Sequence, residues 1–482
     1  MNISYQRVIL FSLFLLLNVL STKVSYLGAL LSIVEFFTIA VLLLKGNVEN
    51  SFLALTICLA SSFEMASFVY LNGEGLRLYS IFNLPLVTVF PFYGICYFVF
   101  FLSHRQYSTC ARVVIGDKPG IRKFKFFLPV LFISGLVTGL IALAFNDNGI
   151  SSYSWAGTAL VSTSLRILAL MCYLSSAIYL INGKSGSVHN IEKALTELLI
   201  SYVFVSTITI IFKWHGYYGS MAGMMLMPLA SSLCPILLVI PVYYNVKNSR
   251  LYYILSLAFI VETIFYSSEM GSKFYIIPLL CVITFVGVTM KKGRLKSLIL
   301  VFLVILLLVV NSGSIINLFT GSEYGYWKFN QLLNVFNFSS GGVSNWYNNV
   351  DASPRFRVDE FVNIFLEYVR KPWYVLFGKG NAGTILHTWG TTNWFRQNGT
   401  FSEYQMNSGI FMSMHESVNV IFLRHGLVGL IFIFSTLISV IKKAFKSPWA
   451  IGGMIWFLFY WGIYLSWWVG ALMLILAISH DD

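Results

Sequence analysis

Charge is what this sequence has least of. Only 11% of its 482 residues are Asp, Glu, Lys or Arg, where a soluble domain carries roughly 25%. That shortage excludes an ordinary soluble enzyme, a disordered chain and a nucleic-acid module, despite a formal charge of +13. Cysteine is scarce as well. Five of the six cysteines (Cys58, Cys96, Cys172, Cys234, Cys281) fall in apolar stretches, and Cys110 lies in a basic loop. With no CxxC pair and no Cys/His cluster, neither a zinc site nor a disulfide framework is predicted. The long polar segment has no DxD, HExxH or acidic cluster, so no magnesium–phosphate site or other metal centre is expected. Residues 1–18 lack a small-residue cleavage site and run directly into a second apolar stretch, which reads as a first span rather than a leader. There is no internal repeat, which argues against an inverted-repeat transporter.

What is abundant is apolar length. Hydrophobic residues make up 57% of the chain, with mean hydropathy +0.76. A bilayer span takes about 20 apolar residues. Spans are predicted near 7–22, 24–44, 51–70, 80–102, 126–145, 157–181, 194–212, 222–244, 251–267, 274–290, 297–311 and 419–441, with one or two more in 449–479. The expected fold is therefore an all-α polytopic integral membrane protein with about 13–14 transmembrane helices. Basic residues gather in alternate loops: Arg105 to Lys125, Lys184 and Lys193, Lys247 and Arg250, Lys291 to Lys296, and Lys442 to Lys446. The intervening loop 146–156 has none. One orientation places every basic loop inside, with the N-terminus inside too. Topology and anionic lipid thus account for most of the positive charge, and no nucleic-acid partner is needed.

The same reading gives an N-terminal transmembrane bundle over 1–311, a large external loop domain over 312–418 and C-terminal transmembrane helices over 419–482. A connection of about 107 residues is far beyond ordinary loop length. Trp327, Trp346, Trp373, Trp389 and Trp394 lie in it, an aromatic content that predicts order, with short helices.

Within that domain, Phe361, Ile364, Phe365, Tyr368 and Val369 repeat at helical spacing, and Lys371-Pro372 closes the run. Arg355 and Arg357 then stand at the helix start, where cations are unfavourable unless Asp359, Glu360 or an anionic ligand neutralises them. Gly378-Lys-Gly380-Asn-Ala-Gly383 spells GxGxxG but follows a helix and a proline rather than a strand. It reads as a turn, either purely structural or offering its N–H groups to phosphate or sugar. His415 and Asn419 are i and i+4 at the outer end of a span, where a neutral imidazole can accept a proton from a sugar hydroxyl or simply be a polar boundary residue. Lys213, His215 and Lys273 end or begin spans on the same side. Glu35, Glu64, Arg166 and Glu262 fall inside apolar runs, where ionisable groups pair internally or face a wet cavity.

The order of these pieces resembles the bacterial O-antigen polymerase (Wzy) and O-antigen ligase superfamily. Many spans and one long external loop are followed by Arg357, Pro372, Gly378, Gly380, His415, Gly426 and Gly429. The motif region covers roughly 355–430, and the topology extends the likeness along the chain. The resemblance implies a GT-C-like glycosyltransferase of the bacterial inner membrane, working at the periplasmic face without cofactor on undecaprenyl-diphosphate-linked repeat units. It also implies a chain-length regulator and a flippase as pathway partners. Arg357 would hold diphosphate or sugar and His415 would activate the acceptor hydroxyl. Arg355, Lys273, Lys213, His215, Arg370 and Asn419 complete the expected substrate-binding set. Where ligases carry an arginine at the outer end of an earlier span, this chain has Lys213-Trp-His215-Gly216, and Glu416 rather than Asn follows the His. Both departures look more like a polymerase than a ligase.

Overall fold

The computed structural model describes residues 3–21, 25–61, 119–152, 156–183, 187–211, 342–350, 352–390, 403–412 and 417–441, with a few further positions at 414, 447, 449–450, 453 and 472–477. These residues are mostly helical. In chain order the helices are α1 (Tyr5–Ser21), α2 (Ser25–Leu44), α3 (Val48–Ser61), α4 (Pro119–Ala144), α5 (Ala156–Gly183), α6 (Ser187–Ile211), α7 (Gly342–Asn349), α8 (Ala352–Arg370), α9 (Glu403–Ser408) and α10 (Ser417–Ile441). The spans expected at 7–22, 24–44, 126–145, 157–181, 194–212 and 419–441 coincide with helices, and 51–70 does so in part. Those at 80–102, 222–244, 251–267, 274–290 and 297–311 lie outside the described residues, as does most of 449–479. Among the described residues, Arg122–Ala144 and Val418–Ser439 are long and apolar enough to cross a membrane.

The all-α expectation needs one amendment. Strands β1 (Ile385–Leu386) and β2 (Ile410–Phe411) form a small antiparallel ladder, Ile385 opposite Phe411 and Leu386 opposite Ile410. Adjacent apolar side chains bounded by Gly383 and Gly409 favour this extended pairing over a helix, and no hydropathy reading registers two residues.

The chain divides into two compact units, Met1–Leu16 with Lys193–Arg355 and Ala444–Gly452, and Leu17–Glu192 with Phe356–Lys443 and Gly453–Asp482. In the first, Glu197 of α6 is fully buried. It accepts the Ser4 N–H at 2.8 Å and pairs with Arg7 at 3.4 Å, while the Ser201 hydroxyl donates to the Val8 carbonyl at 2.9 Å. In the second, α4 packs on α5 and α10, and α3 on α2 and α5. Phe124 of α4 meets Phe432 of α10, while Gly135 of α4 lies against His425, so these two helices run antiparallel.

The long apolar helix α10 is broken. Gly426 has φ 57° and ψ −146°, a conformation closed to side-chain-bearing residues. An unbroken helix would bond the Leu427 and Val428 N–H groups to the Leu423 and Arg424 carbonyls. Here Leu427 donates to Val375 O at 2.9 Å and Val428 to Leu376 O at 3.0 Å, while Leu423 O and Arg424 O accept from Lys379 N at 2.8 Å and Gly380 N at 3.1 Å. The Tyr368 hydroxyl caps the upper half, reaching Phe422 O at 2.5 Å and Leu423 O at 2.9 Å. Two helical bonds are thereby replaced by four to the 375–380 segment, so no backbone group freed at the break is left unmade. The Gly378 turn fits because α10 and α4 are bare of side chains where it touches them. A Cβ on Gly380 (φ 80°) would lie 2.1 Å from the Gly139 nitrogen, and one on Gly426 2.4 Å from the Val375 carbonyl. Gly135 and Gly139 supply the groove on α4, whose Gly135 carbonyl accepts the Asn381 N–H at 2.9 Å.

Substituting Gly380→Ala should therefore cost about 3 kcal/mol or more, from overpacking against backbone plus a left-handed alanine. Gly46→Ala, at φ 74° with nothing within 4 Å, should cost only about 1–2 kcal/mol. Thermal unfolding of the purified variants checks the contrast, and equal losses would contradict it.

Candidate functional site

The second unit places four ionisable side chains around the Gly378 turn. Glu367, near the end of α8, accepts from the Lys379 ammonium at 2.6 Å and lies 3.0 Å from Lys371, its i+4 neighbour. Asp147, in the turn after α4, pairs with Lys371 and, at 3.0 Å, with Lys379. Asn148 completes the ring: its Nδ2 donates to Glu367 at 2.8 Å and its Oδ1 accepts from Lys371 at 2.7 Å. Lys379 has no exposed surface at all, and the Tyr374 ring lies 5.5 Å from its ammonium. Two cations and two carboxylates therefore cancel inside the protein, joining the 147–148 turn to the end of α8 and to the segment that fills the break in α10.

The electrostatics follow from burial and pairing together. Burial raises the Asp147 and Glu367 carboxyls, but the hydrogen bonds and charges of Lys371 and Lys379 outweigh it and hold both below the usual carboxylate range. Burial lowers Lys371, yet its two acidic partners win and raise it. For Lys379 burial prevails over the same partners and pushes the ammonium down.

The inner face of α8 is polar along its length. Asp359, Glu360, Asn363 and Glu367 are all buried. The Asn363 side-chain Oδ1 accepts from the N–H groups of Thr388 (2.8 Å) and Trp389 (2.9 Å), and its Nδ2 donates to the Asp359 and Trp389 carbonyls, each at 2.7 Å. Asn419, in the first turn of α10, donates to the Arg357 carbonyl at 3.0 Å and to Glu360 Oε2 at 2.9 Å. Met414 packs in the same apolar cluster as Phe356, Ile364 and Tyr368. Met414 and Asn419 are thus both held against α8.

No family model, no curated protein and no solved structure matches this chain. Its chemistry has to be read from its own residues.

Of the residues expected to form the site, Arg357 is half-buried in the second turn of α8, Asn419 is buried and bonded to it through the backbone, and Arg370 is exposed in the last turn. Arg355 belongs to the other unit. Its guanidinium donates to the Asn348 and Val350 carbonyls at 3.0 and 2.5 Å and lies 5.7 Å from the centre of the Tyr347 ring, so it satisfies carbonyls at the C-terminal end of α7. His415, Lys213, His215 and Lys273 lie outside the described residues. Of the two uses open to the Gly378 turn, the N–H groups of Lys379, Gly380 and Asn381 are all taken by protein carbonyls, which leaves the structural one.

The sequence reading missed Lys379, Asp147 and His387. Glu367 and Lys371 were legible as an i, i+4 pair, but nothing local ties them to a turn more than 200 residues earlier. His387 is half-buried beside Asp359; burial lowers its imidazole, partly offset by that carboxylate.

Both carboxyls being held low, their contribution to stability is complete at neutral pH and is lost as pH falls through and below the ordinary carboxylate range near about 4. The unfolding midpoint should drop steeply there, and less steeply in Glu367→Gln. Lys379→Met, which leaves Lys371 alone to balance the Glu367 and Asp147 carboxylates, should cost about 3 kcal/mol at pH 7. A melt series across pH 3–7 on the three proteins checks both statements.

Proposed function

We propose that this chain is an O-antigen polymerase, a polytopic inner-membrane glycosyltransferase of GT-C-like architecture. In this reading it transfers the growing undecaprenyl-diphosphate-linked glycan onto a new lipid-linked repeat unit at the periplasmic face. The observation that carries the reading is convergence. The pieces that resemble the polymerase and ligase superfamily are spread over some seventy residues, and Arg357, Pro372, Gly378, Gly380 and Gly426 converge: Gly378 and Gly380 lie against the break at Gly426, Pro372 starts the turn that enters it, and Arg357 is bonded through its carbonyl to Asn419 at the head of α10.

Two further features support it. The 147–152 turn and the 367–384 segment, which the basic-loop pattern independently puts outside, meet in the ion cluster. At the other end of the same helix pair Lys123, in the first turns of α4 and within the basic stretch Arg105 to Lys125, donates to Ser435 O at 3.1 Å and to the Ser439 hydroxyl at 2.8 Å. The outward surfaces of α4 and α10 are also apolar, with Phe126, Ile133, Val137 and Leu140 on one and Leu427, Ile431, Phe434 and Ile438 on the other. Rows of this kind suit lipid rather than water. A helix broken inside an apolar run also occurs in transporters, where the freed groups face substrate. In α10 they face the 375–380 backbone instead, which favours a fixed platform over a transport site.

In the reaction, a hydroxyl at the non-reducing end of the incoming repeat unit attacks the anomeric carbon of the growing chain. His415 accepts the hydroxyl proton, the bond from that carbon to the diphosphate oxygen breaks with inversion, and undecaprenyl diphosphate departs. Cations stabilise the leaving charge. Because Arg355 is engaged at the end of α7, Arg357 is the principal clamp, with Lys273 and Lys213 as supporting cations, His215 as a hydrogen-bonding group and Arg370 at the periphery.

Lipopolysaccharide gels test the assignment. Cells lacking the protein should show core bearing a single repeat unit, with the ladder gone, and His415→Ala or Arg357→Ala should reproduce that pattern in protein that is still made and inserted. Bare core with long glycan left on the lipid carrier would mean a ligase, and an unchanged ladder would remove both assignments.

A further inference from the structure

The outer surface of α8 is the reverse of what water selects. Its buried side carries Asp359, Glu360, Asn363 and Glu367, whereas Phe361, Phe365 and Val369, at i, i+4 and i+8, are exposed, the last by 62%. Val358, Val362 and Leu366 are half-buried between them. The row runs on past the helix end through Trp373, 68% exposed, to Leu376 and Phe377. Among the described residues, the charges beside the row are Arg357, half-buried on one flank, Arg370, exposed on the other, and Lys371, turned to Glu367 and Asp147. An apolar stripe of this length, backed by buried carboxylates, is costly in water and natural in contact with hydrocarbon. It is also continuous with a second apolar surface. The Val375 and Leu376 carbonyls accept from the Leu427 and Val428 N–H groups respectively, and Leu427 opens the outward row Leu427, Ile431, Phe434, Ile438 on α10.

We propose that this face of α8 and the 373–377 turn lie in the outer water–lipid boundary of the bilayer, with Phe361, Phe365, Val369, Leu376 and Phe377 among acyl chains. Trp373 sits at headgroup level, as an amphipathic ring does, and Arg370 reaches the phosphate layer by extending its aliphatic stem along the surface. The external segment is thereby held at the depth of a lipid diphosphate instead of projecting into the periplasm. The proposal rests on the membrane reading of α10 and goes beyond it, since a polytopic protein can equally carry a wholly aqueous external domain.

The test uses the full chain in nanodiscs of phosphatidylcholine and phosphatidylglycerol, with or without bromine at the middle of the acyl chains. An environment-sensitive nitrobenzoxadiazole label is placed on Phe365→Cys, Val369→Cys and, as a reference within α10, Ile431→Cys. The unsubstituted chain is labelled in parallel to subtract its native cysteines, and size-exclusion profiles confirm that each variant folds. Blue-shifted emission at 365 and 369, quenched by brominated lipid like that at 431, is the expected result. Quenching at 431 with water-like, unquenched emission at 365 and 369 overturns this proposal and leaves the membrane reading standing. Blue-shifted but unquenched emission at 365 and 369 also overturns it, since protein, such as a second copy, would then cover the face. Loss of quenching at all three positions removes the membrane reading and this proposal together.

Discussion

A backbone amide or carbonyl away from water must have a partner, and among the described residues the break in α10 is where that rule bears hardest. Gly426 turns the chain just after Arg424 and His425, inside a helix that is apolar over most of its length. The carbonyls and N–H groups set loose between Phe422 and Val428 are taken up by the backbone of 375–380 and by the Tyr368 hydroxyl. Everything nearby follows from keeping that segment in place. The glycines at 378 and 380 permit contact with α10 and α4, Gly135 and Gly139 open the groove, and Lys379 anchors the turn by a charge that only Glu367 and Asp147 make tolerable.

The ion cluster is better understood as a clamp than as a catalytic group. Its charges cancel, its cations are committed to carboxylates, and Lys379 has no surface to offer a substrate. A buried pair of this kind adds little net stability over an apolar substitute, but removing one member is expensive. What it does secure is geometry: the head of α10, the end of α8 and the turn after α4 are fixed to one another, so that Arg357 and Asn419 keep their spacing.

Much of the helical frame was legible in the sequence, because apolar length is a local signal. Helices α1, α2, α5 and α10 begin and end close to the spans read from hydropathy, whereas α4 and α6 end with their spans but start about two turns earlier, in the polar stretches that precede them. Helix α8 was legible too, from Phe361 to Val369 and the Lys371-Pro372 stop. Which way α8 faces was not. Its apolar positions are divided, Ile364 and Tyr368 inward and Phe361, Phe365 and Val369 outward, because the carboxylates and Asn363 find buried partners in Lys379, Lys371, Asn419 and the 388–389 backbone. Those partners come from distant stretches of chain, and spacing within one helix carries no record of them. The Gly378 motif was visible as a turn, but its seat on α4 and α10 depends on glycines at 135, 139 and 426 that no local pattern connects.

The central claim is that this frame serves glycosyl transfer between two lipid-linked glycans, without metal or nucleotide. The most direct measurement is reconstitution: purified protein in a bilayer, supplied only with undecaprenyl-diphosphate-linked repeat units and a chelator, with the products resolved by length. The account predicts lipid-linked chains of two or more repeat units, with release of undecaprenyl diphosphate. Repeat units recovered unchanged from properly folded protein, or moved across the bilayer without lengthening, would contradict it.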